Sequence, residues 1–165
     1  MILTAAQRST FASDILGDGV LGALAKNPDN ADRIATAYNQ INATYWVWKS
    51  SIAIQDLYQQ TTTAATAWSW PAFIARTPQE QNAWLAFTSG STLNPSLTNT
   101  RQSVVDILSG TAAVGLRTHL LSVSIRNATR GEVLFATGSG TTASPSTLGV
   151  EGTVTFTDIL QVWGA

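Results

Sequence analysis

Cysteine is missing from all 165 residues, which excludes disulfides, thiolate-bound zinc and thiol catalysis in one step. Charge is scarce. Lys, Arg, Asp and Glu together make up 12%, about half the ~25% of an ordinary soluble domain. Nine basic and ten acidic side chains leave a net charge of −1, so no global field draws in nucleic acid or an anionic membrane. No apolar run approaches the ~18 residues of a membrane-spanning helix. The opening Met1-Ile2-Leu3-Thr4-Ala5-Ala6-Gln7-Arg8 lacks the apolar core of a secretory signal. The expectation is a product assembled in the cytoplasm, without membrane contact.

Apolar residues reach 44%, enough for a packed interior, and the length fits one domain. Ala, Thr, Ser, Gln and Asn fill the place that charge vacates, and six tryptophans exceed the needs of one small core. A soluble monomer covers itself with mixed charges. This chain cannot do so densely, so much of its exterior is expected to sit against other protein.

The periodicity reads as mainly α, a helical bundle over residues 1–137. Thr4 caps a first helix with Phe11, Ile15 and Leu16 on one side. Asn27-Pro28 starts a second, which carries Ile34, Tyr38 and Ile41. Tyr45-Trp46-Val47-Trp48 fits a strand or a helix equally well, and Ile52 to Gln60 reads as helical. Gln59 to Thr66 is polar and weakly structured. Thr77-Pro78-Gln79-Glu80 is a capping box with proline at the first helical position. A further helix spans about Ser96–Ser109, and a long C-terminal helix is expected from Ala112 to Ala136. Residues 138–147 then read as a flexible linker of small residues. From Gly149 to Thr157 the apolar and polar residues alternate, which predicts a strand, so residues 138–165 are expected to be an extended β-type arm.

That strand has no second strand beside it in sequence, and an open edge is rarely left free. Short of plain disorder, two solutions stay open. The arm pairs in trans with another protein's sheet, or it folds back against Tyr45–Val47 of its own chain.

Signs of chemistry are few. His119 is the sole histidine, and the nearest acids in sequence, Asp106 and Glu132, lack ligand spacing. No Gly-x-Ser-x-Gly elbow supports a serine nucleophile, so a small hydrolase centred on His119 is only a remote alternative. Gly138-Ser139-Gly140-Thr141-Thr142 lacks the Gly-Lys-Ser/Thr ending of a phosphate loop. No cofactor and no metal is expected. Asp18 reads as a turn residue rather than as half of a carboxylate pair with Asp14. Arg101, Arg117, Arg126 and Arg130 face a single acid, Asp106, over their span. The four-residue spacing of Arg126 and Arg130 suggests a shared helix face. In a ring of subunits, Arg117, Arg126 and Arg130 could line a channel and touch DNA phosphates; a solvated face or pairing with acids is the plainer reading.

Leu134-Phe135-Ala136-Thr137-Gly138-Ser139-Gly140-Thr141-Thr142-Ala143-Ser144-Pro145 with Leu148-Gly149-Val150-Glu151-Gly152-Thr153 resembles short structural proteins of tailed bacteriophages. Tyr38-Asn39 and Tyr45-Trp46-Val47-Trp48-Lys49 resemble the same proteins. Such proteins are similar in size and helical make-up to head-to-tail adaptors, or connectors. That resemblance implies a non-enzymatic virion protein in the neck between capsid and tail. It would form a homo-oligomeric ring, of twelve copies in such adaptors, beneath the portal protein and against tail or nozzle proteins, with transient contact to packaged DNA. A tail-completion or other capsid-associated role is the alternative. Adaptors share no fixed site motif. The expected docking residues come from the arm's own pattern: Pro145, Leu148, Val150, Val154, Phe156 and Trp163.

Overall fold

The computed structural model describes residues 1–59 and 67–164; most of the polar stretch expected over Gln59–Thr66 lies outside them. The fold is mixed α/β rather than an all-helical bundle, with eight α-helices and three two-stranded sheets among the described residues. The chain divides into two compact units, Met1–Val47 with Asn127–Ala165, and Trp48–Arg126. The boundary expected at residue 138 is therefore not where the structure divides.

The discontinuous unit is built on three helices. Helix α1 (Ala5–Gly17) begins at a capping box, in which Thr4 Oγ1 accepts from Gln7 N and Gln7 Oε1 accepts from Thr4 N. Helix α2 (Pro28–Tyr38) begins where Asn27 Oδ1 accepts from Asn30 N at 2.9 Å. Both starts fall where the sequence signals them. Helix α8 (Phe156–Trp163) packs on both. Their shared core is Phe11, Ile15, Ile34, Tyr38, Val154, Ile159 and Val162. Phe11 meets the Tyr38 ring edge-on, centroids 4.5 Å apart, a favourable aromatic geometry.

Strand β1 (Ile41–Trp48) settles the Tyr45–Trp48 ambiguity in favour of a strand and pairs with β4 (Ile125–Thr129). The long C-terminal helix expected over 112–136 is absent. Helix α6 covers only Val114–Val123, then comes β4, then the single turn α7 (Arg130–Val133). Two features break the run. Ser122 and Ser124 hydroxyls donate back to the carbonyls of His119 and Leu120, which competes with continued helix. Thr129 and Glu132 then form a fresh capping box that starts α7.

The extended arm is also absent. Strands β5 (Ala136–Thr137) and β6 (Thr147–Leu148) form a small antiparallel hairpin, and the supposed linker is its ordered loop. Gly138 and Gly140 hold φ of 128° and 67°, which β-carbon sterics deny to most residues, and a Cβ at Gly140 would collide with the Tyr45 ring. Ser146 N donates to Trp46 O at 2.9 Å, and Trp46 N donates to Gly140 O at 2.7 Å. Tyr45 Oη lies 2.9 Å from Ser146 Oγ. Folding back onto Tyr45–Val47 is thus what occurs, but through residues 140–146 and not through the alternating segment. That segment forms no strand. Residues 150–155 run irregularly into α8, and Thr155 with Asp158 forms the capping box that starts it.

The continuous unit contains β2 (Ile52–Ala53), antiparallel to β3 (Thr92–Leu93), with Ile52 opposite Leu93. A 3-10 turn over Ile54–Tyr58 replaces the helix expected from Ile52 to Gln60. Helices α3 (Trp70–Ile74), α4 (Pro78–Phe87), α5 (Thr98–Ile107) and α6 enclose Leu57, Trp68, Phe73, Trp84, Leu108, Leu116 and Leu120. Helix α4 starts at the Thr77–Glu80 capping box read from the sequence.

Candidate functional site

Of the six docking residues expected on the arm, the structure spends two on its own core. Val150 and Val154 are buried, while Pro145, Leu148 and Trp163 are half-buried. Trp163 packs against the same cluster. Phe156 remains exposed at 49%. It lies one helical turn before Leu160, which is also exposed. Ile159 and Val162 point inward on the opposite side of α8. The outward positions Phe156, Thr157, Leu160 and Gln161 include no charged residue. Asp158, at the edge of this face, is committed to the helix start. Burial would raise its carboxyl pKa, yet the Thr155 amide, the Thr155 hydroxyl and the Met1 ammonium hold it below the ordinary aspartate value.

The same charge-free exterior recurs on two other helices. The exposed positions of α1 are Ala5, Ala6, Ser9, Thr10, Ser13, Leu16 and Gly17, and those of α4 are Pro78, Gln79, Asn82, Ala83, Leu85 and Ala86. Leu16 and Leu85 are 72% and 61% exposed. Trp70 and Ile74, one turn apart on α3, are exposed too. A large apolar side chain gains about 1.5–3 kcal/mol on full burial. A face without charges offsets little of that gain through desolvation. Such faces suit contact with protein, and no spacing rule applied to the sequence singled out α1, α4 or Leu160. The available signal was the absence of Lys, Arg, Asp and Glu from one side of each helix.

Arg76, Arg101, Arg117 and Arg130 are bonded within the chain. Arg117 donates to the carbonyls of Leu108 and Gly110, and Arg76 donates to Ser109 O and to the Glu80 carboxylate. Both cations therefore sit at the C-terminal end of α5, where the helix dipole favours them. Lys49 Nζ likewise donates to Val123 O, at the end of α6. Arg101 stacks over Trp48 at 4.6 Å and donates to Pro95 O and Ser96 O. Arg126 and Arg130 do not share a helix face, because Arg126 lies in β4 and Arg130 opens α7. Arg130 reaches Asp18 at 2.9 Å and Asp14 at 3.3 Å, and lies 4.4 Å above the Tyr38 ring. Asp14 and Asp18 thus meet after all, with Arg130 between them. Asp18 also accepts from Val20 N and Leu21 N, the turn role read from the sequence. Tyr38 donates its hydroxyl proton to Asp14, and burial together with that bond raises the tyrosine pKa.

His119 is fully buried, its Nε2 2.8 Å from Leu57 O and its ring near Trp68. This placement gives the remote hydrolase reading no opening to solvent. Among the described residues no group of His, Asp and Glu is placed to hold a metal ion. Three of the six tryptophans assemble an aromatic cluster: Trp68 stacks on Trp84, Trp70 stacks on Tyr58, and Trp84 Nε1 donates to Tyr58 Oη at 3.1 Å. An open groove of about 620 Å³ runs along Arg76, Glu80, Ala83, Asp106 and Gly110, and its central charges, Arg76 and Glu80, pair with each other. A void of about 20 Å³ beside Leu57, Trp84 and Leu120 has no room for a ligand. Among the described residues no single helix is long and apolar enough to cross a membrane.

Comparison with protein-family models, with curated proteins and with solved structures returns no match. The phage resemblance therefore rests on the residues quoted for it. Those residues meet in space, since Tyr45–Val47 and the loop over 138–146 hold each other by four hydrogen bonds.

Proposed function

We propose that this chain is a structural subunit of a tailed-bacteriophage particle, of the head-to-tail adaptor type, acting by contact with copies of itself and with its neighbours in the neck and not by catalysis. The observation that carries the assembly part is the set of exposed positions on α1, α4 and α8, which are free of charge and each include an exposed leucine or phenylalanine. A freely diffusing monomer gains nothing from such faces, and a packed subunit does. The virion setting is supported by the resemblance of the β5–β6 hairpin loop and the Tyr45–Lys49 segment to phage structural proteins. Docking is assigned to the outer face of α8, Phe156 with Leu160, since the inner residues of the same segment are used by the chain's own core.

The test is to make particles in which the gene for this chain is interrupted. The reading expects filled or leaking heads and separate, finished tails that fail to join. Infectious particles of normal form would overturn it. Finished heads with unfinished tails would favour a tail-completion role instead.

A further inference from the structure

We infer that residues 150–164 form a strap that opens and closes as one piece on an otherwise intact discontinuous unit, with Asn39 as its latch. The inference rests on the docking reading above for its use, and on the attachments of the segment for its physics. Gly149 N donates to Phe135 O at 3.0 Å and anchors the chain just before the strap. From there on the polar attachments come from side chains and the Met1 ammonium. Asn39 takes both backbone groups of Val154, and Glu132 accepts from Gly152 N. The Met1 ammonium reaches Thr153 O and Asp158, and Lys26 reaches Trp163 O at 3.4 Å. A segment held at such points, rather than by a strand ladder, opens at lower cost than the core around it.

The body of the same unit has its own, separate ties. Arg130 N donates to Gln40 O at 2.9 Å, and the Arg130 guanidinium spans Asp14 and Asp18. These bonds join α1, the end of α2 and α7 without using the strap. Phe11 packs edge-on against both Tyr38 and Phe135, and Trp46 bonds to Gly140 and Ser146. None of these contacts passes through residues 150–164. Gly152 is the joint: its φ of 121° lies in the region most side chains avoid, and a Cβ there would meet no atom within 4 Å. Opening at this point withdraws Val154, Ile159 and Val162 from the core together. An isolated helix of eight residues does not hold its shape in water. The open strap therefore loses the fixed one-turn spacing of Phe156 and Leu160, and the closed strap is the docking form. The latch sets how much of the chain is in that form.

Native-state hydrogen exchange of the full chain, read by mass spectrometry at rising sub-denaturing urea, tests the strap with no partner present. Its outcome is thus independent of the docking reading, which the unjoined heads and tails decide. The amides of α8 are expected to exchange faster than those of α2, with a weaker dependence on urea. Asn39→Ala should speed α8 exchange about tenfold or more. Gly140→Ala strains the body whether the strap is open or closed. It should therefore speed α2 exchange about five- to thirtyfold and leave α8 unchanged. Equal rates and equal urea dependence in the two helices, or an equal rise of both in Gly140→Ala, overturns the inference. So does α8 exchange that Asn39→Ala fails to change.

Discussion

The side-chain carboxamide of Asn39 pairs with both backbone groups of Val154, accepting from Val154 N at 2.9 Å and donating to Val154 O at 2.8 Å. One side chain, 115 residues away in sequence, thus does what a neighbouring strand would do. Glu132 Oε1 takes the Gly152 amide at 3.3 Å, and the Met1 ammonium donates to Thr153 O at 2.8 Å. The segment that alternates like a strand has its hydrogen-bonding capacity absorbed inside its own unit, so it needs no second molecule.

Replacing Asn39 by Ala strands a buried amide and a buried carbonyl. Each orphan costs about 1–3 kcal/mol, so a loss of about 2–4 kcal/mol is expected in urea unfolding. Asn39→Asp restores the acceptor only and sets a carboxylate against the Val154 carbonyl, so it should remain close to the alanine variant. A loss below ~0.5 kcal/mol would show that the pair bears no load.

Gly140 combines a left-handed backbone with direct contact to the Tyr45 ring. Gly140→Ala should cost about 1–2 kcal/mol from the backbone alone, and more from the ring. Tyr45→Ala should relieve only the second part. A double-mutant cycle on the two positions measures that coupling, and a coupling of zero would contradict the clamp.

Acid should erode both units. Glu80 is held down to about 2, chiefly by Arg76 and then by the Thr77 amide and hydroxyl, and Asp18 is held low by the Leu21 and Val20 amides and by Arg130. Ordinary carboxylates titrate near 4. The unfolded chain therefore binds these protons first, and the stability present at neutral pH drains as pH falls from about 5 toward 2. Urea midpoints measured across that range should drop, and Glu80→Gln should flatten part of the fall. An unchanged slope in that variant would exclude Glu80 as a source.

At the alkaline end the sign reverses. The Tyr38 phenol titrates above its ordinary value because it is buried and donates to Asp14. The unfolded chain loses this proton first, so stability falls as pH rises past about 10. Tyr38→Phe should remove that component while lowering stability at neutral pH by about 0.5–1.5 kcal/mol for the lost bond. Absorbance of the phenolate during alkaline titration checks it directly.

Helix starts were legible at three points where a side chain caps its own local backbone. Thr4, Asn27-Pro28 and Thr77-Pro78-Gln79-Glu80 all begin helices as read. The same chemistry at Thr129 with Glu132, and at Thr155 with Asp158, starts helices that hydrophobic spacing hides, because each start signal lies inside a patterned apolar run. Val150 and Val154 are inward-facing as alternation suggests, but the backbone partner of Val154 is Asn39, a distance no local pattern spans. The ordered hairpin loop depends on the meeting of Gly140 with Tyr45, and the tryptophan core depends on Trp68, Trp84 and Tyr58 converging from separate elements. On the candidate surface, Phe156 was legible and Leu160, Leu16 and Leu85 were not, since their exposure follows from which faces α8, α1 and α4 bury.

Hydroxyl-radical footprinting of Leu16, Leu85, Phe156 and Leu160, in the free chain and in assembled particles, bears most directly on the central claim that the uncharged helix faces are contact surfaces. The account predicts ready oxidation of all four in the free chain and strong protection of at least Phe156 and Leu160 in the particle. Equal oxidation of all four in both states would contradict it.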